Sequence, residues 1–507
     1  MVVGDYLGRR ERYSPEQLAI IDTGHDPELR LTYRAWNRRV NRLARWLRAS
    51  AGVVAGDRVA ILAHDGIEHL DVFHACAKLG AIHLPLNWRL HTRELAGIVR
   101  ATTPRVLVSG ERFAPAAAEL AGDAVLVHLG TTGAAGSTSY ADVLAQTDDA
   151  PIDAGTLDPE AIACLLFTGG TTGAPRGACI SHRQICWNVL NTVIHDVRHD
   201  DIYLNVFPLF HTGGLFTYLS SQVVLGNTTV LVRQFDPARV LGLIARERVT
   251  IFAAVPTMYQ ALADAPAWAD ADLGSLRFCT SGGAPLPVAL IGRYSREKGV
   301  RFKQGFGMTE YGPGLFALPA EDALRKAGSI GRPNFFVDVR VVDADNQPLG
   351  PNQPGELVLR GPSGCSGYWN DPAATAAAFD ADGWFHTGDI VEYDDSWYFY
   401  VRDRKKDMFI SGGENVYPAE VEQALYRHPA VRQCAVIGVP DARWGEAGLA
   451  CVVLHPGMPV APDALREWLR GQLAGYKVPR AVVMLDALPL SGAGKILKRE
   501  LRERFRG

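Results

Sequence analysis

No apolar run in the chain approaches the length of a membrane span, and the segment from Met1 to Arg10 lacks the apolar stretch of a signal peptide. The expectation is a soluble cytoplasmic protein with no transmembrane segment, with docking on a membrane surface left open because a modest patch suffices for it. Cysteine is sparse and scattered: Cys76, Cys164, Cys179, Cys186, Cys279, Cys365, Cys434 and Cys451 show neither C-x-x-C nor metal-ligand spacing. They read as buried thiols of a reducing compartment. A basic excess is also missing, since 52 Lys and Arg face 55 Asp and Glu for a net charge of −3. That balance argues against a nucleic-acid partner and for small molecules. Internal repeats, low-complexity tracts, the Walker pattern G-x-x-x-x-G-K-[ST] and G-x-G-x-x-G are all absent. P-loop hydrolases and dinucleotide-dependent dehydrogenases thereby lose their sequence support.

What is present is a 507-residue chain, 47% hydrophobic, with 51 glycines and 30 prolines. It is too long for one core and rich enough in turns to be globular, so two or more units are expected. The apolar spacing of Val40, Leu43, Ala44 and Leu47 followed by the run Arg58–Leu62 predicts helices alternating with strands, hence a parallel, helix-covered sheet. Residues 122–158, rich in Gly, Thr, Ser and Asp, read as a connection of low structure content. The run 161–167 has no polar member and reads as a strand buried on both faces that empties into a glycine-rich turn. Strands are also expected over 328–400, and a helix-like basic segment over 495–506. Polarity rises around Asp403–Asp407, where a hinge is placed before a unit of about a hundred residues.

The turn itself, Thr168-Gly169-Gly170-Thr171-Thr172-Gly173-Ala174-Pro175-Arg176-Gly177, suits phosphate. Glycines let backbone N–H groups approach phosphate oxygens, hydroxyls add donors, and Arg176 brings a bidentate cation. Taken alone, an ordinary loop is equally compatible. The ten residues resemble the signature T-[SG]-G-T-T-G-x-P-[KR]-G of the adenylate-forming superfamily, which includes acyl-CoA synthetases, luciferases and peptide-synthetase adenylation domains. Gly169 stands where many members have serine, and Arg176 where lysine is commoner. Further segments follow in the family's order: Pro208-Leu-Phe-His211-Thr-Gly213-Gly214, Ser281-Gly282-Gly283-Ala284-Pro285, Gln304-Gly305-Phe306-Gly307-Met308-Thr309-Glu310, Trp384-Phe-His-Thr-Gly-Asp389, Asp403-Arg404-Lys-Lys406-Asp407, Ser411-Gly412-Gly413 and Leu490-Ser-Gly-Ala-Gly-Lys495. The resemblance covers essentially the whole chain and is strongest to fatty-acyl and aryl-acid CoA ligases.

The resemblance implies an α/β fold: a large N-terminal domain of helix-covered sheets with a β-barrel-like subdomain, then a small mobile α+β C-terminal domain. Its boundaries would be 1–404 for the ATP- and acid-binding domain, 405–406 for a hinge pivoting at Lys406, and 407–507 for the lid. It implies an AMP-forming acid–thiol ligase that makes acyl-AMP and then acyl-CoA, with ATP, Mg²⁺ and CoA. Nucleotide contacts would come from Thr168 to Gly173, Arg176, Gly282, Gly283, Ala284, Gln304 to Thr309, Asp389, Arg404 and Lys495. Glu310 and Thr168 would face the metal, and Lys495, Thr309, Glu310 and His211 the chemistry. The acid would lie against His211, Gly213, Gly214, Gly283, Met308 and Gly314. These glycines, with Gly282, Gly312, Leu215 and Phe216, suggest a roomy site for a medium or long acyl chain or a bulky alicyclic or aromatic acid. Gly412, Gly413, Trp444 and Tyr476 would face CoA, although a buried core role for either aromatic is equally compatible. A carrier protein is the alternative thiol donor, a single half-reaction the alternative activity, and a homodimer is compatible. A luciferase-like oxidative enzyme and a non-catalytic acyl-nucleotide binder are the rival classes.

Overall fold

The computed structural model describes residues 2–153, 155–168, 175–284, 286–404, 407–411, 414–441, 443–491 and 496–505, without the side chains of 403, 404, 414 and 415. The expected phosphate-loop residues Gly169 to Gly173, Lys406, Gly412, Gly413, Lys495 and the Arg404 side chain thus lie outside the described residues. Contacts divide the chain into two units, one of residues 1–323, 333–337 and 360–380, the other of residues 324–332, 338–359 and 381–507.

The first unit holds two sheets. One runs in the order Thr138–Ser139, Val125–His128, Val106–Ser109, Arg58–Leu62, Ile82–Pro85, Ile162–Thr168, Arg176–Ser181. It is parallel until its last pair, which is antiparallel. The interval 122–158, expected to carry little structure, contains the strands Val125–His128 and Thr138–Ser139 and the helix Tyr140–Gln146. Val127 there is buried against its parallel neighbour Val106–Ser109, so a short β-branched run inside a polar stretch is enough to extend the sheet.

Helix Tyr33–Ala49 begins at Thr32, whose hydroxyl accepts from the Ala35 N–H, and buries Trp36, Val40, Leu43 and Leu47. At roughly 1.5–3 kcal/mol per buried side chain, that face explains how so arginine-rich a segment stays helical and docked. Its opposite face is anchored too: Arg42 donates to Leu144 O, and Arg45 to Ala150 O and Pro151 O. The neighbouring helix Ile67–Leu79 is buried along its length, so its charges must be paired. Asp71 accepts from Trp36 Nε1, Tyr140 OH and Arg39 Nε, and Lys78 donates to Asn37 Oδ1 and Asp5.

The second sheet carries Leu29–Thr32, Leu18–Asp22, Thr228–Leu231, Ile202–Asn205, Ile251–Ala254, Phe278–Gly282, Phe302–Met308 and Gly312–Leu318 in that order. From Leu18–Asp22 to Phe302–Met308 the neighbours are parallel, while Leu29–Thr32 and Gly312–Leu318 are joined antiparallel to Leu18–Asp22 and Phe302–Met308.

The second unit begins with a four-stranded sheet, Asp338–Val342, Gly355–Arg360, Phe385–Tyr393 and Phe399–Arg404, which corresponds to the expected barrel-like part. Its α+β part has strands Glu414–Val416, Phe409–Ser411, Gly445–Leu454 and Val431–Asp441, with Ala481–Met484 added in parallel to Gly445–Leu454. Helices Pro418–Tyr426 and Pro462–Arg470 close its core through Val421, Leu425, Leu465 and Leu469 against Phe409, Val436 and Val452. The basic terminal segment is helical over Lys498–Arg504. All eight cysteines are free and buried. Among the described residues, no helix is long and apolar enough to cross a membrane.

Candidate active site

The phosphate-loop sequence closes a hairpin at the end of the first sheet. Strands Ile162–Thr168 and Arg176–Ser181 pair with Thr168 opposite Arg176 and Phe167 opposite Gly177. A Cβ at Gly177 would stand 2.9 Å from the Phe167 ring, so the cross-strand aromatic occupies the space that glycine vacates. The Thr168 hydroxyl reaches Arg176 O only at 3.5 Å, a weak bond that leaves it available to a stronger acceptor. The outer edge of Arg176–Ser181 is covered by residues 365–369: Cys179 N donates to Gly367 O, Ser366 N to Cys179 O, and Trp369 N to Gly177 O. Arg176 lies over the Tyr368 ring at 5.8 Å, with its Nε 3.7 Å from Asp371.

In the second sheet, Ser281 pairs with Gln304 and Gly282 with Gly305, at the carboxyl ends of parallel strands where α/β sheets bind ligands. Ser281 Oγ and Gln304 Nε2 are buried there without a partner among the described residues. Phe306 is half-buried, edge-on to Phe316 at 5.7 Å, and Met308 is half-buried. A Cβ at Gly307 would approach Gly312 O and Pro313 to 2.5 Å, so this turn tolerates no side chain. Gly283 has φ +80°, in the region that favours glycine, and Ala284 beside it is exposed.

Thr309 is buried, and both its carbonyl and that of Glu310 accept from Gln184 Nε2, at 3.3 and 3.2 Å. Glu310 is held twice more: Cys365 N donates to its carbonyl at 2.7 Å, and Tyr368 OH donates to its Oε1 at 3.0 Å. Burial and the Glu310 charge push the Tyr368 phenol well above its usual range, so it remains a donor.

The Pro208–Gly214 segment is tightly folded. His211 caps the short helix Thr212–Phe216, its Nδ1 accepting from Gly213 N at 3.1 Å, which puts the neutral ring's proton on Nε2. A Cβ at Gly214 would lie 2.2 Å from Pro208 O. At Gly312 and Gly314 a Cβ would meet Asn188 Oδ1 at 2.7 and 3.2 Å. The missing side chain at Gly214 is therefore accounted for by close packing, and that at Gly312 by packing together with its φ of +79°.

The segment's Leu209 N donates to Asp65 at 2.7 Å. Burial lifts Asp65 to about 7, while that N–H and the charges of Arg89 and Arg233 pull it down. Behind the segment sits an aromatic cluster of Tyr203, Tyr218 and Phe278 with Phe207. Phe207 would be 3.6 Å from a Gly213 Cβ, and the Tyr218 hydroxyl is bonded to Thr280 Oγ1 at 2.7 Å. Lys303 Nζ stands 3.6 Å over the Phe278 ring, and burial pushes that amine down to about 8. Arg89 stacks on Trp88 at 4.7 Å and lies 5.7 Å from Phe210, and burial, then the charges of Arg112, Arg233 and Arg89, depress His64. Arg89, Arg112 and Arg233 form no ion pair among the described residues.

In the second unit, Asp389 is buried and stands opposite Arg404 across the pair Phe385–Tyr393 and Phe399–Arg404. Gly388 before it has φ +69°, and the Thr387 hydroxyl receives the Asp389 N–H. Ser411 pairs with Gly445, bringing Trp444 next to the start of the 412–413 turn. The turn Gly475–Lys477 packs on Glu414–Val416. Trp444 and Tyr476 are 47% and 43% exposed, which rules out the core alternative for both aromatics.

Sequence reading missed the polar face of helix His182–Val193. Gln184 holds residues 309–310, Asn188 donates to Phe216 O and accepts from Gly314 N, and Asn191 accepts from Phe336 N. Asn334 donates to Gly314 O. The available signal was three amides at helical spacing 184, 188, 191, a face too polar for an ordinary core. Tyr368 carried no signal.

Residues 8–369 match the model of the AMP-binding enzyme family, and residues 420–495 that of the AMP-binding enzyme C-terminal domain. The chain is 44% identical over 505 residues to a feruloyl-CoA synthase from Amycolatopsis sp, covering 99% of each protein. It is 38% identical to a long-chain-fatty-acid–CoA ligase from Mycobacterium tuberculosis, covering 99% of this chain and 98% of that protein. The ATP-bound crystal structure of MatB from Rhodopseudomonas palustris superposes with a TM-score of 0.92 at 31% identity, covering 100% of this chain and 99% of that one.

Proposed function

The chain belongs to the AMP-binding enzyme family and is an ATP-dependent, AMP-forming acid–CoA ligase, and from that premise we propose that its substrate is a bulky apolar acid, an aromatic one first. The observation that carries this choice is the aromatic cluster of Tyr203, Phe207, Tyr218 and Phe278 behind the His211 segment, with the Tyr218–Thr280 hydroxyl pair at its border. The half-buried Phe207 ring, backed by the buried rings of the cluster, favours an aromatic acid by edge-on and offset contacts, and the half-buried Thr280 hydroxyl can meet a phenolic or ether oxygen. The feruloyl-CoA synthase relative acts on such an acid, and the fatty-acid ligase relative makes a medium or long acyl chain the second choice.

In the first step an acid oxygen attacks the α-phosphorus of ATP, the α–β P–O bond breaks, and pyrophosphate leaves. We assign the phosphates to the turn 168–177 with Arg176 as counter-charge, and the adenine to residues 282–284 and 304–308. There the unpartnered Ser281 Oγ and Gln304 Nε2 are available to a base, and Phe306 offers a ring face. Thr309 is assigned to the α-phosphate, and Asp389 with Arg404 to the ribose, where a carboxylate suits a diol. Hard oxygens at Glu310 and Thr168 fit Mg²⁺: the carboxylate has one oxygen taken by Tyr368, and its Oε2 accepts no hydrogen bond among the described residues. Mg²⁺ there supplies charge neutralisation on the phosphates. Lys495 is assigned to balance negative charge as carboxylate and α-phosphate meet.

In the second step the CoA thiol displaces AMP from the acyl carbon. We assign the thiol side to Gly412, Gly413, Trp444 and Tyr476, reached by rotation of residues 407–507 about Lys406. The unpaired Arg89, Arg112 and Arg233 beside Trp88 give CoA phosphates a cationic landing surface. His211, with its Nε2 proton, is placed beside the acyl group.

Acid-dependent ATP–pyrophosphate exchange over arylpropenoic, benzoic, fatty and short dicarboxylic acids tests the reading. Preferred exchange with aromatic acids supports it; preference for the short dicarboxylic acids overturns it. Repeating the assay with CoA or a phosphopantetheinylated carrier protein as thiol decides the acceptor, CoA being expected.

A further inference from the structure

Tyr368 sits where three parts of the first unit converge. Its backbone bridges Ala178 on the strand leaving the phosphate turn, its ring lies under the Arg176 guanidinium at 5.8 Å, and its hydroxyl donates to Glu310 Oε1 at 3.0 Å. The segment that carries it is fixed on both sides. Cys365 N holds the Glu310 carbonyl, while Ser366 N, Gly367 O and Trp369 N hold strand Arg176–Ser181. Tyr368 N is itself anchored by the Thr375 hydroxyl at 2.9 Å, and that hydroxyl donates to Asp371 O. The phenol is thus a rigid strut between the stem of the turn and the carboxylate, unlike a lysine or glutamine on several free torsions.

We propose that Tyr368 is a positioning residue that fixes the rotamer of Glu310, engaging Oε1 so that Oε2 alone is presented to the divalent cation of the nucleotide. This rests on the metal-facing role of Glu310 proposed above. A carboxylate with one oxygen engaged and the other free is aimed before ligand arrives, so less ordering is needed on binding. The same strut ties Arg176 and Glu310, groups of opposite sign toward one polyphosphate, into a fixed relation that neither sequence neighbour of Tyr368 provides.

The test uses the full chain and measures ATP affinity from tryptophan fluorescence, without acid or CoA, in excess Mg²⁺ and in EDTA. Loss of one hydrogen bond to a charged group predicts about a tenfold weaker affinity for Tyr368→Phe in Mg²⁺. In EDTA its affinity should match the wild type, and the melting midpoint without nucleotide should be unchanged. Tyr368→Phe added to Glu310→Gln should cause no further loss, because the strut then has no carboxylate to aim. Equal weakening with and without Mg²⁺, or none in Mg²⁺, overturns the proposal, the former because it marks a merely structural role. If Glu310→Gln alone leaves the Mg²⁺-dependent gain intact, the assignment of Glu310 fails as well; if that variant abolishes the gain and Tyr368→Phe does not, only the strut fails.

Discussion

Adding a single methyl group at Gly214 should disturb the Pro208–Gly214 segment more than most truncations there. The new Cβ would stand 2.2 Å from Pro208 O, 2.7 Å from its carbonyl carbon and 2.9 Å from Phe207 O. Non-bonded heavy atoms rest at roughly 3.5 Å or more, so the overlap exceeds an ångström. Every offending atom is backbone, so no rotamer change relieves it. Movement of the Pro208–Leu209 peptide is opposed by the 2.7 Å bond from Leu209 N to the buried Asp65. Movement of the helix start is opposed by Gly214 N and Leu215 N, both bonded to His211 O. Breaking one of these restraints and straining the rest costs on the order of 3 kcal/mol. At roughly 2 °C per kcal/mol for a large unit, Gly214→Ala should lower the melting midpoint by about 6 °C. The displacement also reaches His211, and kcat/KM for the acid should fall by about tenfold or more. Differential scanning calorimetry and steady-state kinetics on the preferred acid check both. A variant that melts with the wild type and keeps its kcat/KM would refute the close-packing explanation of this glycine.

Asp65 should give the stability a pH slope: its folded-state value of about 7 lies above the unfolded value of 3.8, so the folded chain holds a proton that the unfolded chain has released. Stability should therefore fall as pH rises from about 4 to about 7 and flatten above, by at most on the order of 4 kcal/mol, and urea midpoints of Asp65→Asn should lack that slope. Gln184→Leu leaves the Thr309 and Glu310 carbonyls without their shared donor, costing about 2 kcal/mol; the expected signature is a raised KM for ATP with KM for CoA unchanged. Lys495→Ala should slow acid-dependent pyrophosphate exchange by roughly a hundredfold or more while thiolation of supplied acyl-AMP is largely retained; equal loss of both half-reactions would remove Lys495 from the adenylation step.

The order of motifs along the chain identified the family because each is a local pattern of residue types, the Gly- and Thr-rich run 168–177 first among them, that recurs at fixed spacing. Alternation of apolar runs likewise made the α/β class legible, since periodicity is a property of neighbours in sequence. Less legible were weak elements such as Val125–His128, whose four residues count as a strand only because a parallel neighbour supplies their hydrogen bonds.

Glycine shows where sequence stops. Gly213, Gly214, Gly312 and Gly314 look alike in sequence, as room for an acyl group. Tertiary packing separates Gly214, whose Cβ would collide with the Pro208 backbone, and Gly312, at φ +79° with a Cβ 2.7 Å from Asn188 Oδ1, from Gly213 and Gly314, whose Cβ atoms would meet only side-chain atoms, at 3.3 and 3.2 Å. Tyr368 and Gln184 make the same point in reverse: nothing local marks Tyr368 and only a row of amides on one helix face marks Gln184, yet they grip Glu310 and its backbone across 58 and 126 positions of chain. By itself the sequence determined the family and the reaction class, because reactive groups recur at fixed spacing. Only the tertiary structure decided what aims them, because orientation is set by contacts between residues far apart in the chain, which no local pattern encodes.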